Sequence, residues 1–252
     1  MKTYSLLAAV ILASLASCRT ASDRVSTDIK QVEEMSACDP KGILNDLMPG
    51  GLFGATRVLY NQPNVANEWL HPVMIKKAGG DSLGLFQSFI PDPKQAIKVK
   101  KINSALATLA KDFGAAKAID GRLERDAIEF KGTSDRLNVF KVDSADLSQR
   151  KVLKFAVSPK ANSILVITGQ TPSMSAIQID GAFKPESLLY VAPEAATFRI
   201  QGGNFIGTII APKAAVFMEA DFTGSIFGKE VTVRDPMKVA FYQGCVTTQK
   251  MP

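Results

Sequence analysis

Between Leu188 and Val233 the chain repeats itself at an interval that few folds can accommodate. Ala192-Pro193-Glu194-Ala195-Ala196-Thr197-Phe198 returns nineteen residues later as Ala211-Pro212-Lys213-Ala214-Ala215-Val216-Phe217. Phe205-Ile206-Gly207-Thr208-Ile209-Ile210 returns seventeen residues on as Phe222-Thr223-Gly224-Ser225-Ile226-Phe227. A third, looser pass puts Gly228-Lys229-Glu230-Val231-Thr232-Val233 at the place of another Ala-Pro stretch. This spacing is too short for helix-pair repeats and suits one coil of a β-solenoid. Stacked coils lie about 4.8 Å apart, so like residues should pile into ladders: Phe198 under Phe217, Phe205 under Phe222, Ile209 under Ile226. Gly207 and Gly224 share one phase, where a corner would admit no side chain or would demand positive φ. Pro193 and Pro212 cannot donate to a ladder and belong at corners. The apolar columns read as core.

The rest of the chain fits a mainly β domain around this solenoid. Val152-Leu153-Lys154-Phe155-Ala156-Val157 and Leu137-Asn138-Val139-Phe140-Lys141-Val142 are short β-type runs. Ile164-Leu165-Val166-Ile167-Thr168 is apolar on consecutive positions, as expected of a strand covered on both sides. One helix is expected at about 93–114, capped by Asp92, with Pro93 in its first turn and Gly114 ending it. Ile102, Leu106, Leu109 and Phe113 give it a single apolar stripe, while Lys100, Lys101, Asn103 and Lys111 face water. From Cys38 to Asp92, turn signals separate short apolar pieces such as Thr56-Arg57-Val58-Leu59-Tyr60 and Val73-Met74-Ile75, read as short strands. Trp69 is expected to pack there.

The N-terminus has a different character. Lys2 precedes an apolar run from Leu6 to Ala16, too short to span a bilayer and shaped like a signal-peptide core. It ends in Leu15-Ala16-Ser17-Cys18, which resembles the bacterial lipobox. The resemblance implies cleavage before Cys18, residues 1–17 being removed, and a diacylglyceryl group on the Cys18 sulfur; the alternative is an ordinary secretory signal with a chance cysteine. Acyl chains contribute about 0.8 kcal/mol per buried methylene and would hold the protein on a membrane. By the same resemblance Arg19, in place of Asp, points to the outer membrane of a bacterial envelope. Residues 18–37 are polar and read as a tether, followed by a domain over 38–246 and a tail over 247–252. Export would leave Cys38 and Cys245 in an oxidising compartment. A disulfide between them would close a loop worth on the order of 5 kcal/mol in chain-entropy terms; two buried free thiols are the alternative.

The stretch from about Lys101 to Cys245 resembles the choice-of-anchor A domain of bacterial surface proteins. The features are the amphipathic helix, Asn138-Val139-Phe140, Ser163-Ile164-Leu165-Val166-Ile167, and above all Phe205-Ile206-Gly207-Thr208-Ile209-Ile210-Ala211-Pro212-Lys213-Ala214 followed by Phe222-Thr223-Gly224-Ser225-Ile226. The resemblance implies a β-helical C-terminal half, surface display and adhesion. The expected fold is therefore a short right-handed parallel β-helix with one flanking helix and its two termini close together.

Catalytic chemistry is poorly supported. The single histidine, His71, excludes multi-histidine metal sites and leaves at most one His-based base. Gly80-Asp81-Ser82-Leu83 spells an esterase nucleophile motif, but no histidine follows residue 71 to serve it. Glu194, Arg199, Glu219 and Asp221 read as a solvated face and not as a lyase site. Gly202-Gly203 lies inside the repeat and makes no nucleotide loop, so no cofactor and no metal is expected. The formal charge of +6 is scattered, without a basic stripe interleaved with aromatics, so nucleic acid is not the expected partner. Thr208 and Ser225 form one column of two hydroxyls, a weak ice-binding signal whose plainer reading is ordinary outward polar residues. The reading that results is a non-enzymatic, lipid-anchored, adhesin-like module for a polysaccharide or protein surface. A structural envelope lipoprotein is the alternative, with a carbohydrate-active enzyme or an ice-binding protein further away.

Overall fold

A computed structural model describes residues 53–54, 57–60, 74–80, 87–91, 93, 96–182, 184–235, 237–240 and 242. Cys18, Cys38, Cys245, Trp69, His71 and Asp81-Ser82-Leu83 lie outside the described residues, as do the expected signal, tether, disulfide and tail. What is described is mainly β: a parallel β-solenoid with one helix longer than a few residues.

The coils have three sides. The first is a parallel stack of β5 (Ile119–Asp120), β8 (Leu137–Asp143), β10 (Asn162–Thr168), β13 (Leu188–Val191) and part of β14 (Thr197–Val233). Its register runs Ile119, Phe140, Leu165, Tyr190, Ile209, one residue per coil. The helix α1 (Ala96–Ala115) packs on the outside of this side against β10, β13 and β14, burying Leu106, Leu109, Ala110 and Phe113. That is why β10 is apolar at consecutive positions: alternate side chains enter the solenoid and the others meet the helix. The helix runs one residue past Gly114, so the glycine sits within its last turn.

The second side is built from β11 (Ser173–Ser175) and the segments 197–201, 215–219 and 230–233 of β14. In the coil below β11 it is made by the short helix α2 (Ser144–Ser148), capped by the Asp143 carboxylate, which accepts from the Ala145 N–H at 2.8 Å. The third side comprises β6 (Arg122–Leu123), β7 (Ala127–Lys131), β9 (Val152–Ala156) and β12 (Gln178–Asp180) in a separate four-stranded sheet. Higher up, residues 222–224 pair with β15 (Met237–Val239). The N-terminal strands close the far end. β1 (Phe53–Gly54) and β2 (Arg57–Tyr60) lie parallel to the last coil at 226–227 and 230–233, and β4 (Gln87–Pro91) and β3 (Met74–Gly80) continue from β2 antiparallel. The early residues are thus laid beside residues far along the chain, which no local sequence signal announces.

The lumen is filled by stacked rings. Phe205 and Phe222 are vertical neighbours with centroids 5.9 Å apart, and Tyr190 continues the column at 4.7 Å from Phe205. Lower down, Phe130, Phe140 and Phe155 form a second cluster with centroids 4.9 to 5.9 Å apart. Tyr190 is fully buried and its hydroxyl has no partner among the described residues, so desolvation pushes its pKa well above the ordinary phenol value. One expected ladder is corrected. Ala192 donates to the Ile210 carbonyl at 2.9 Å, keeping Ala192 opposite Ala211, but Ala215 donates to the Ala196 carbonyl at 2.9 Å, which sets Ala215 opposite Thr197. The upper corner is therefore one residue shorter than the lower. That single residue turns Phe217 to the outer surface while Phe198 stays inside under Val216, because side chains alternate with a period of two.

Candidate functional site

The first side is covered by α1, whereas on the second side apolar residues point in and polar ones, together with the Phe217 ring, point out. Inward run Met174, Ile200, Met218 and Val233, all at or below 1% exposure. Outward, register and hydrogen bonds define two columns. Ser173 is paired with Arg199, which lies opposite Phe217 and then Thr232; Ser175 is paired with Gln201, then Glu219 and Arg234. The Arg234 N–H donates to the Met218 carbonyl at 2.9 Å, fixing the last step. Exposed Thr197 and Glu230 extend the array along its leading edge.

Cross-coil contacts tie these columns together. The Arg199 guanidinium carbon sits 4.9 Å from the centroid of the Phe217 ring, a cation–π geometry. The Gln201 side-chain amide donates to Glu219 Oε2 at 2.8 Å. Both pairings exist because this part of the solenoid advances by eighteen residues, where the sequence repeat had suggested nineteen. Arg199 and Glu219, read from the sequence as scattered, are thus brought onto one face in neighbouring columns. Glu194 and Asp221 are exposed and lie outside the two columns.

The expected outward hydroxyl column is corrected by the structure. Thr208 is 0% and Ser225 1% exposed; their hydroxyls hydrogen-bond each other at 2.9 Å, and the Tyr242 N–H donates to Thr208 Oγ1 at 3.1 Å. Both lie on the helix-covered side, so they stabilise coil stacking and present nothing to a ligand.

The third side is zwitterionic. Lys154 donates to Glu124 at 2.8 Å, which lowers the Glu124 pKa and raises that of Lys154 through the shared hydrogen bond and charge; Arg122 and Glu129 approach to 3.6 Å. Glu129, Lys154 and Asp180 share one register row, so its charges alternate in sign. Among the described residues no group of three or more His, Cys, Asp or Glu is gathered as a metal site, and no helix is long and apolar enough to cross a membrane.

Comparison with known proteins bears on what this architecture is for. The family model for the ice-binding-like adhesive domain matches residues 60–239. The chain belongs to that family. It is an adhesive, ice-binding-like β-helix, the kind of domain that serves as a surface-binding module. No curated protein matches. Among solved structures, an ice-binding protein from an Antarctic ascomycete, Antarctomyces psychrotrophicus, aligns at 17% identity over 60% of this chain and 72% of that one, with a TM-score of 0.30.

The family match overturns the choice-of-anchor A resemblance, which nothing in these comparisons points to. The reason is physical. A helix on one covered side, a glycine where coils approach and an Ala-Pro corner are demands of coil stacking itself, so they do not distinguish one β-helical family from another.

Proposed function

We propose that this chain is a non-enzymatic adhesive module carried on a cell envelope, binding its target through the second side of the solenoid. The observation that supports this reading is the regular outward array on strands 173–175, 197–201, 215–219 and 230–233, ending at Arg234, held on a packed lumen and left uncovered by the helix. Rigid, preorganised side chains lose little entropy on binding. Attachment through a lipid at Cys18 would hold many copies on one surface and add avidity to modest single-site affinity. An ice-binding use of this side would call for repeated small hydroxyls, whereas the middle column runs Ser173, Arg199, Phe217, Thr232. Charge and an aromatic ring suit a polymer or protein surface better than a water lattice.

The test uses the full-length protein and its Arg199→Glu/Phe217→Ser variant on arrays of glycans, matrix proteins and envelope extracts, with freezing hysteresis measured in parallel. Wild type is expected to bind an array target, and the variant to bind it about tenfold or more weakly, for loss of about 1.4 kcal/mol or more. Arg199→Glu, at an exposed position, should move stability by only about 0.5 kcal/mol, and Phe217→Ser, which removes a half-buried ring, by about 1–2 kcal/mol. Unchanged binding by the variant would reject this side as the site, and hysteresis without array binding would favour ice. A lone strong envelope partner would favour a structural lipoprotein. The anchor is checked separately: incorporation of labelled fatty acid is expected in wild type and absent from Cys18→Ser, and an unlabelled wild type would remove the lipid.

A further inference from the structure

We infer that the ligand of the second side is a carboxylate-bearing polysaccharide, held at its acidic groups by Arg199. This rests on the adhesive reading of that side and names its ligand class.

Arg199 is exposed, and its guanidinium lies over the Phe217 ring of the next coil at 4.9 Å. Its backbone N–H donates to the Pro172 carbonyl, but no described residue accepts a hydrogen bond from the guanidinium or pairs with it, so the N–H fork is oriented by the ring and left open. A planar fork fixed in this way matches the two oxygens of a carboxylate, and stacking removes part of the rotamer entropy an exposed arginine would otherwise lose. Glu219, in the neighbouring column, is held by the Gln201 amide at 2.8 Å and makes no ion pair with Arg199. This charge separation leaves a cationic point within a polar surface.

The surroundings favour a sugar chain over an acidic peptide. Ser173 lies beside Arg199 in its column and Thr197 two positions along the strand, offering hydroxyls on the same face. The remaining Glu219 oxygen can accept from sugar hydroxyls, as can Gln201, and the half-buried Phe217 ring offers an apolar edge to C–H groups. Hydroxyl donors, C–H faces and carboxylates occur together on acidic polysaccharides. Arg234, exposed at the end of the neighbouring column, provides a second cation further up the solenoid.

The experiment measures binding of the full-length protein to polygalacturonate and to its fully methyl-esterified form, at two salt concentrations. Polygalacturonate is expected to bind, to weaken with salt, and to outbind the ester by about tenfold or more, as loss of a charge-assisted hydrogen bond implies. Arg199→Gln should remove that discrimination, and Arg199→Lys should restore only part of it because the fork is lost. Lys131→Gln, on the third side, should behave as wild type. Equal binding of acid and ester by wild type, or full discrimination in Arg199→Gln, would overturn the inference. If both polymers bind equally and the Arg199→Glu/Phe217→Ser variant binds neither, the adhesive side stands and its acid preference falls. If that variant binds as wild type does, both fall.

Discussion

Gly224→Ala should lower stability by about 3 kcal/mol, and Gly224→Val by more than about 4 kcal/mol. A β-carbon at Gly224 would land on the Gly207 carbonyl oxygen and carbon of the coil beneath, with the tip of the Phe222 ring 2.7 Å away. Backbone cannot retreat there as a flexible side chain could, because Gly207 is itself confined. Its φ is +115°, and a β-carbon on it would meet the Leu188 carbonyl oxygen at 2.7 Å. Three successive coils therefore approach at this point with no room for a side chain. Thermal unfolding followed by circular dichroism should show the Gly224→Ala midpoint falling by about 6–12 °C. Gly202→Ala is the control: φ there is +66°, yet the β-carbon finds only contacts near 4 Å, so the loss should be about 1–2 kcal/mol from backbone strain alone. Equal shifts at the two glycines would mean that the coils do not touch where they are drawn.

Phe205→Ala should cost about 3–5 kcal/mol. Phe205 is 2% exposed in the middle of the ring column, with Tyr190 at 4.7 Å on one side and Phe222 at 5.9 Å on the other. Removing it opens a cavity between coils that the neighbouring backbone, pinned by its ladder hydrogen bonds, cannot close. The loss should be non-additive with Phe222→Ala, because the second truncation no longer breaks a ring–ring contact. Solenoids are stabilised coil by coil. Hydrogen exchange should accordingly show protection falling first in 205–233, which includes the strands bearing Phe217 and Glu219, and much less around Phe130, Phe140 and Phe155. Uniform loss of protection would indicate that the solenoid unfolds as one unit.

Legibility differed between elements for reasons visible in particular residues. The helix was plain because Leu106, Leu109 and Phe113 repeat at its own period and dock on one surface. The Phe205 under Phe222 ladder was plain because both rings sit two residues ahead of the glycine in a motif that recurs at seventeen residues. Phe198 and Phe217 misled because the corner between them sheds one residue, and with alternating side chains one residue reverses inside and outside. Thr208 and Ser225 misled in the opposite sense. Their stacking was correctly foreseen, but both are buried, and Thr208 is tied to Tyr242, a residue distant in sequence. The family assignment failed on features that every stacked coil with a flanking helix must share.

The order of residues alone determined that this chain winds into a β-solenoid, since a repeat of 17 to 19 residues rich in β-formers has no other economical way to pair its backbone. It also determined which phases must stay small and which must be apolar. Only the tertiary structure decided which side is left open, because that depends on where α1 lies and on how many residues each corner contains. Those two facts place Arg199 over Phe217 and Gln201 against Glu219. A repeat specifies the stack, whereas the surface it offers is set by register, and register is fixed by contacts between coils.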